Sequence, residues 1–314
     1  MRRHICLGFG LGLVLCGAAS AAWAQASPTL TAARDALTAG GHPVTQEIVT
    51  LTVDGQAVIG TLALPGDVER PPVALLLHGF TGSRDELPIA NTDEGVFSRT
   101  ARRLAEHGVA SLRIDFRGSG ESDGAWEDTT FTGQTRDALA AIDWLAGDAR
   151  VDGERLAVIG WSQGGLVAAG AAAADPRVDT LVLWAPVAHP LATYPPLMGA
   201  DTVAAGLASG GAPVHVALPW GAEFDMRTPF FEELYLVTPL ASIAHYPGPL
   251  LVIVGTRDTI VQPQPLEGRS YLANHDGPEE LLVLDTDHVW DAFGGPDMVD
   301  EMALWSLAWI GSTL

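Results

Sequence analysis

The chain has 314 residues, with 17 basic and 38 acidic side chains, a net charge of −21 at neutral pH and no lysine. A field of that sign repels nucleic acid and anionic lipid, so neither nucleic-acid binding nor stable membrane association is expected. The two cysteines, Cys6 and Cys16, both fall near the N-terminus, which removes thiol nucleophiles, disulfides and thiolate metal sites from the rest of the chain.

Residues 1–24 read as a secretory signal. Arg2 and Arg3 give a basic start, an apolar run follows from Ile5, and Ala22-Trp23-Ala24 offers a small-residue cleavage site. The run is rich in Gly and Ala and ends in that pattern, which favours removal over retention as a membrane anchor. The mature protein is expected to begin near Gln25 and to be secreted or periplasmic. Residues 25–314 contain no linker, charge block or repeat, so one domain is expected.

Along that domain, Glu47–Val53 and Ala57–Ala63 are predicted as two antiparallel strands joined by a turn at Asp54-Gly55. Val73–Leu77 is a continuous apolar run that ends at His78-Gly79. Phe97, Ala101 and Leu104 mark a helix closed by Gly108, and Ala110–Ile114 is the next buried strand. Leu139, Ile142 and Ala146 are expected to share a helix face. Leu156–Ile159 is a strand, Leu166–Ala174 a small-residue helix, and Leu181–Leu183, Leu250–Val254 and Leu281–Leu284 are further strands. A closing helix carries Met298, Met302, Trp305 and Trp309 on one side. This alternation predicts an α/β fold with a mostly parallel sheet flanked by helices.

The alternation fails between Pro186 and about Ser242, where Gly, Pro and Ala mix with Tyr194, Trp220, Phe224, Phe230, Phe231 and Tyr235. An insertion of that length between core strands is expected to be functional, and residues 187–242 read as a lid.

Gly160-Trp161-Ser162-Gln163-Gly164 lies directly between the Leu156–Ile159 strand and the small-residue helix. That is the setting in which a sharp strand-to-helix turn thrusts a serine hydroxyl above a sheet edge and aims a helix N-terminus at a developing oxyanion. The same string recurs at Gly120-Glu121-Ser122-Asp123-Gly124, but in a turn-rich stretch, so Ser122 reads as a turn hydroxyl. A serine needs a base, and the base needs an orienting carboxylate. Asp258 follows the Leu250–Val254 strand and His288 follows Leu281–Leu284, giving the order Ser, acid, His at the carboxyl ends of three strands. Asp285 and Asp287 stand too near His288 along the chain to face its ring easily. The oxyanion donors are expected to be the amides of Gln163 and of Phe80 in His78-Gly79-Phe80-Thr81-Gly82, with His78 orienting that loop. No His-Glu-x-x-His, EF-hand or P-loop pattern occurs, and Gly118-x-Gly120 lacks the rest of a dinucleotide fingerprint. Neither a metal nor a cofactor is expected.

Taken together, His78-Gly79-Phe80-Thr81-Gly82-Ser83, Arg113 to Gly124, Ser162-Gln163-Gly164-Gly165, Gly255-Thr256-Arg257-Asp258 and Asp287-His288 resemble the successive motifs of α/β-hydrolases of the serine aminopeptidase-like and cinnamoyl (feruloyl) esterase group. The likeness covers about residues 45–311. It implies Ser162 as nucleophile, Asp258 and His288 as its partners, and Phe80 and Gln163 as oxyanion donors. Trp161 departs from the histidine that many members carry before the serine. Trp161 and Trp220 are candidate substrate contacts. The expectation is a small-molecule ester as substrate, with an apolar or aromatic acyl group. An exo-acting aminopeptidase is the alternative, with lid carboxylates Glu223, Glu232 and Glu233 to hold an ammonium. A non-catalytic binding protein is a third reading.

Overall fold

A computed structural model describes residues 25–37 and 40–314, so the predicted signal and both cysteines lie outside the described residues. The first helix, Pro28–Asp35 (α1), is capped by Ser27, whose side chain accepts from the Leu30 amide, and has proline at its start, where a missing N–H costs nothing. Strands Val44–Val53 (β1) and Gln56–Pro65 (β2) follow as a hairpin. Its turn places Asp54 and Gly55 at φ 50° and 81°, the double positive φ of the turn that matches strand twist.

Next come Pro72–Leu77 (β3), Val96–Glu106 (α2), Ala110–Ile114 (β4), Phe131–Gly147 (α3), Asp152–Trp161 (β5), Gln163–Ala174 (α4) and Val178–Trp184 (β6). After an insertion, Leu250–Gly255 (β9, numbering through the insertion's own two strands), Leu266–Leu272 (α9), Glu279–Leu284 (β10) and Asp297–Thr313 (α10) complete the chain. The sheet order is β1-β2-β4-β3-β5-β6-β9-β10, antiparallel at β1/β2 and β2/β4 and parallel elsewhere. This is the α/β-hydrolase architecture.

The central strands are apolar on both faces because both faces are covered. Val73, Leu75 and Leu77 of β3 join the core beneath α3 and α4, while Ala74 and Leu76 join the one beneath α2 and α10. Leu250, Val252 and Val254 of β9 divide from Leu251 and Ile253 in the same way. Each such buried Leu or Ile contributes about 1.5–3 kcal/mol. On α2, Phe97, Ala101 and Leu104 are fully buried as their spacing predicts, and Gly108 stops the helix region at φ 85°.

The predicted face of α3 is one step out of register. Ala138, Ala141, Ile142 and Leu145 are buried, whereas Ala146 is exposed. The buried face also carries Gln134 and Asp137, which blurs its apolar pattern. Asp137 is held by Arg117, and the side-chain oxygen of Gln134 accepts from Gln163, while its Nε2 is buried without a protein partner.

The insertion is more ordered than its composition suggests. It holds Pro190–Met198 (α5), Ala200–Ala208 (α6), a hairpin of Val214–Ala217 (β7) and Glu223–Met226 (β8), then Thr228–Leu236 (α7) and Pro239–Ile243 (α8). The last of these helices packs on α4. Proline opens α5, α7 and α8, and at nine, nine and five residues each is too short to show a 3.6-residue period. Tyr194, Phe230 and Phe231 are buried and anchor the lid, and a side chain on Gly206 would begin 2.2 Å from the Phe231 ring.

Candidate active site

Parallel strands end on the same edge of a sheet, and here β3, β5, β9 and β10 deliver their following loops to one place. Between β5 and α4, Ser162 adopts φ 56°, ψ −116°, a strained conformation for a residue with a Cβ, at a cost of about 1–3 kcal/mol. The turn closes only because the backbone can approach closely: a Cβ on Gly160 would lie 2.3 Å from the Gly164 carbonyl, and one on Gly164 2.0 Å from that of Leu77. Thr81, Glu86, Ala185, Trp290 and Asp291 also hold positive φ in the neighbouring loops.

Ser162 Oγ lies 3.1 Å from His288 Nε2, and His288 Nδ1 lies 2.8 Å from Asp258 Oδ2. Because the carboxylate can only accept, Nδ1 carries the proton and Nε2 turns its lone pair to the serine. The other Asp258 oxygen accepts from the amides of Ile260 and Val261, at 2.8 and 2.9 Å, so the acid is fixed at both ends. Asp285 pairs with Arg257 and Thr256, and Asp287 accepts from the amides of Val289 and Asp291, so neither faces the imidazole. Ser122 behaves as a turn hydroxyl, bridging the Ile59 amide and the Asp115 carbonyl.

The loop after β3 borders the serine. A side chain on Gly79 would begin 3.5 Å from Ser162 Cβ. His78 is fully buried. Its Nδ1–H donates to the Gly79 carbonyl at 2.8 Å, and its Nε2 accepts from the Phe116 amide at 3.2 Å. In a planar trans peptide the Gly79 carbonyl and the Phe80 N–H point opposite ways, so the bond from His78 also fixes where the Phe80 N–H is aimed. Burial drives the imidazole down to about 4, which keeps it neutral in this role, against the raising effects of the Gly79 bond and of Asp115. Gln163 opens α4, where an amide N–H has no partner within the helix. Its buried side chain donates to Gln134 Oε1 at 2.7 Å and accepts from the Tyr194 hydroxyl at 2.5 Å, joining α3, α4 and the lid.

Above Ser162 lies a cavity of about 380 Å³ whose walls include Phe80, Leu87, Tyr194, Leu197, Trp220 and Phe293. The Phe80 ring stacks on Phe230 and meets Tyr194 and Phe224 edge-on, so the loop beside the serine is packed directly against the lid. Trp220, at the β7/β8 turn, is 48% exposed and borders the cavity as expected. Trp161 also borders it, but its indole is 3% exposed and lies among Phe97, Trp290 and the His288 ring, so it forms a floor rather than an open binding wall.

The three lid carboxylates are not brought to the cavity. Glu223 is paired with His215 at the surface, Glu232 is exposed, and Glu233 accepts from the Thr132 amide at the start of α3. The acid that does line the cavity is Glu86, which the sequence conceals in the polar turn Ser83-Arg84-Asp85-Glu86. Gln134 and Phe293 are equally silent in the sequence. Among the described residues no cluster of three or more His, Cys, Asp or Glu side chains is arranged to hold a metal ion, and no helix is long and apolar enough to cross a membrane.

Comparison with known proteins agrees with this architecture. The structure is similar to that of Est1E from Butyrivibrio proteoclasticus with ferulic acid bound, with a TM-score of 0.67 and 22% identity over 84% of this chain and 99% of that one. It is also similar to the esterase domain of a Rhodothermus marinus protein, with a TM-score of 0.61 and 22% identity over 85% and 100% of the two chains. At these identities the likeness is one of fold. Among curated proteins, an uncharacterized 31.7 kDa protein of Escherichia coli is 33% identical over 39% of this chain, and the chain spans only 40% of that relative's length. An uncharacterized protein of Mycobacterium tuberculosis is 27% identical over 82% of this chain and 75% of its own. The profile of the X-Pro dipeptidyl-peptidase (S15) family matches residues 25–223, more than half of the sequence. With its sheet order and strand-end loops, the chain therefore belongs to the X-Pro dipeptidyl-peptidase (S15) family of α/β hydrolases.

Proposed function

We propose that this protein is a serine hydrolase that cleaves carboxylic esters of apolar or aromatic acids through an acyl-enzyme. The observation that carries the reading is the hydrogen-bonded series Ser162 Oγ, His288, Asp258 at the floor of an apolar cavity. Ser162 Oγ attacks the ester carbonyl while His288 Nε2 takes its proton. The tetrahedral oxyanion is received by the Phe80 and Gln163 amides, and the imidazolium is stabilised by Asp258. The protonated His288 then delivers its proton to the leaving alcohol. Water, deprotonated by the same imidazole, attacks the acyl-enzyme and releases the acid.

The ferulic acid held by Est1E supports an aromatic acyl group, as does the wall of Phe80, Tyr194 and Trp220. The family's name favours a second reading, removal of X-Pro dipeptides from a peptide N-terminus. The test is turnover of p-nitrophenyl esters of rising chain length, methyl ferulate, amino-acyl anilides and X-Pro anilides, each with Ser162→Ala alongside. Ester turnover lost in the variant supports the first reading. Anilide turnover without ester turnover replaces it with the second, and turnover that survives Ser162→Ala refutes both.

Export is part of the proposal, resting on Arg2, Arg3, the apolar run and Ala22-Trp23-Ala24. N-terminal sequencing of protein recovered from outside the cytoplasm should begin at or near Gln25; an intact Met1 there would contradict it.

A further inference from the structure

Glu86 plays no part in the chemistry above, yet it stands in the cavity wall at φ 62°. Its Oε1 accepts the Gly79 N–H at 2.5 Å. The same oxygen fills the space that a side chain on Gly82 would need, 2.7 Å from where that Cβ would be. Oε1 and Ser162 Cβ lie 3.4 and 3.5 Å from the point where a Gly79 side chain would begin, so carboxyl and serine flank the same stretch of backbone. Gly79 is thus held on both sides, its amide by Glu86 and its carbonyl by His78 and by the Gly82 amide. The peptide so clamped runs directly into Phe80.

We propose that Glu86 is a positioning residue for acyl transfer: its carboxyl holds the Gly79 end of the loop that presents the Phe80 amide, and its charge state sets how well that loop receives an oxyanion. The inference rests on the reading of Ser162 as nucleophile.

The charged groups around Glu86 are committed elsewhere. From its own loop, Arg84 binds Asp115 and Glu121, and Asp85 is taken by Arg113 of β4. Before α2, Glu94 is bound by Arg99 and Arg102. At the end of β3, His78 is neutral, and across the cavity His288 is engaged by Asp258 and Ser162. The lid residues lining the cavity are uncharged. Without a counter-charge, burial pushes the carboxyl up to about 8, although the Gly79 and Leu87 amides favour its ionised form. At neutral pH Glu86 is therefore a carboxylic acid, which can sit beside an oxyanion without repelling it. Above that range it becomes a second negative charge in the same apolar wall, where like charges are poorly screened.

The experiment is the pH dependence of kcat and kcat/KM, from about pH 6 to about pH 10, for wild type and Glu86→Gln on whichever substrate the panel identifies, with phosphonate labelling of Ser162 as a control. In Glu86→Gln a neutral amide oxygen still accepts from Gly79. The expected wild-type kcat falls about tenfold or more above about pH 8, while the variant loses a few-fold at neutral pH, mainly in kcat, and has no alkaline fall. A variant that keeps the alkaline limb, or a wild type flat to about pH 10, overturns the proposal. If Glu86→Gln does not fold, the wild-type limb decides alone. Carboxyl ionisation is nearly insensitive to temperature, so a limb that moves markedly on warming belongs to another group and overturns the proposal, and one that stays put supports it. Failure to label Ser162 with the phosphonate would instead refute the nucleophile assignment, which separates the two failures.

Discussion

The strand-end site and the lid solve the same problem, holding side chains over a serine, by different physics. At the sheet edge each group is fixed by backbone: Asp258 by two amides, His78 by a carbonyl and an amide, and Ser162 by a strained turn that glycines permit. In the lid the fixing is by aromatic contact, with Tyr194 and Phe230 packed on Phe80. The lid also leaves Leu191, Trp220 and Tyr235 at the surface, 45%, 48% and 54% exposed. Hydrogen-bonded geometry tolerates little displacement, whereas contact between rings and a half-exposed rim fixes direction less closely. In the proposed reading, chemistry therefore belongs to the sheet edge and selectivity to the lid.

The sharpest way to break this comparison is Asp258→Asn. It keeps the shape but lets His288 present the wrong tautomer, and kcat for the preferred substrate should fall about 10⁴-fold with KM little changed. Stopped-time assays at high enzyme concentration read this directly, and a loss under tenfold would remove Asp258 from its role.

Next in size is Phe230→Ala, which opens a hole beneath Phe80 and should cost about 3–5 kcal/mol of stability by urea unfolding. A loss below about 1 kcal/mol would mean that the lid collapses to fill the space or is not anchored there.

Two groups on the same loop, His78 and Glu86, then give opposite pH signs. His78 stays neutral in the folded state down to about 4, whereas an unfolded chain protonates near 6.5, so its contribution to stability is lost as pH falls through that window. Glu86 keeps its proton up to about 8 where an unfolded chain has released it near 4.5, so its contribution is lost as pH rises between those values. Thermal melts of wild type and Glu86→Gln across the range should show the variant gaining on wild type toward pH 8; parallel curves would contradict this.

The smallest effect is expected from Trp220→Ala. KM for an aromatic ester should rise about three- to tenfold, roughly 1 kcal/mol, with kcat nearly constant. Equal effects on acetyl and feruloyl esters would deny the lid its selective role.

How much of this is legible in the sequence follows from the same division. The central strands declare themselves because burial on both faces forces unbroken apolar runs such as Val73–Leu77 and Leu250–Val254. Ser162, Asp258 and His288 can be singled out because each lies in the loop or turn that follows such a run. The lid cannot be read in this way, since proline-started helices of nine residues or fewer carry no period. Gln134 and Asp137 mislead on α3 because their partners, Gln163 and Arg117, are distant in sequence. Glu86 is hidden for a related reason: a carboxyl in a polar turn reads as solvated, and only the left-handed backbone at that residue folds it into the cavity wall.

The most direct test of the central claim is reaction of the folded protein with a serine-directed fluorophosphonate, followed by peptide mass mapping. One equivalent bound on the peptide containing Gly160-Trp161-Ser162-Gln163-Gly164, and no label in Ser162→Ala or in unfolded protein, is the expected result. Label on another residue, or none on active protein, would contradict it.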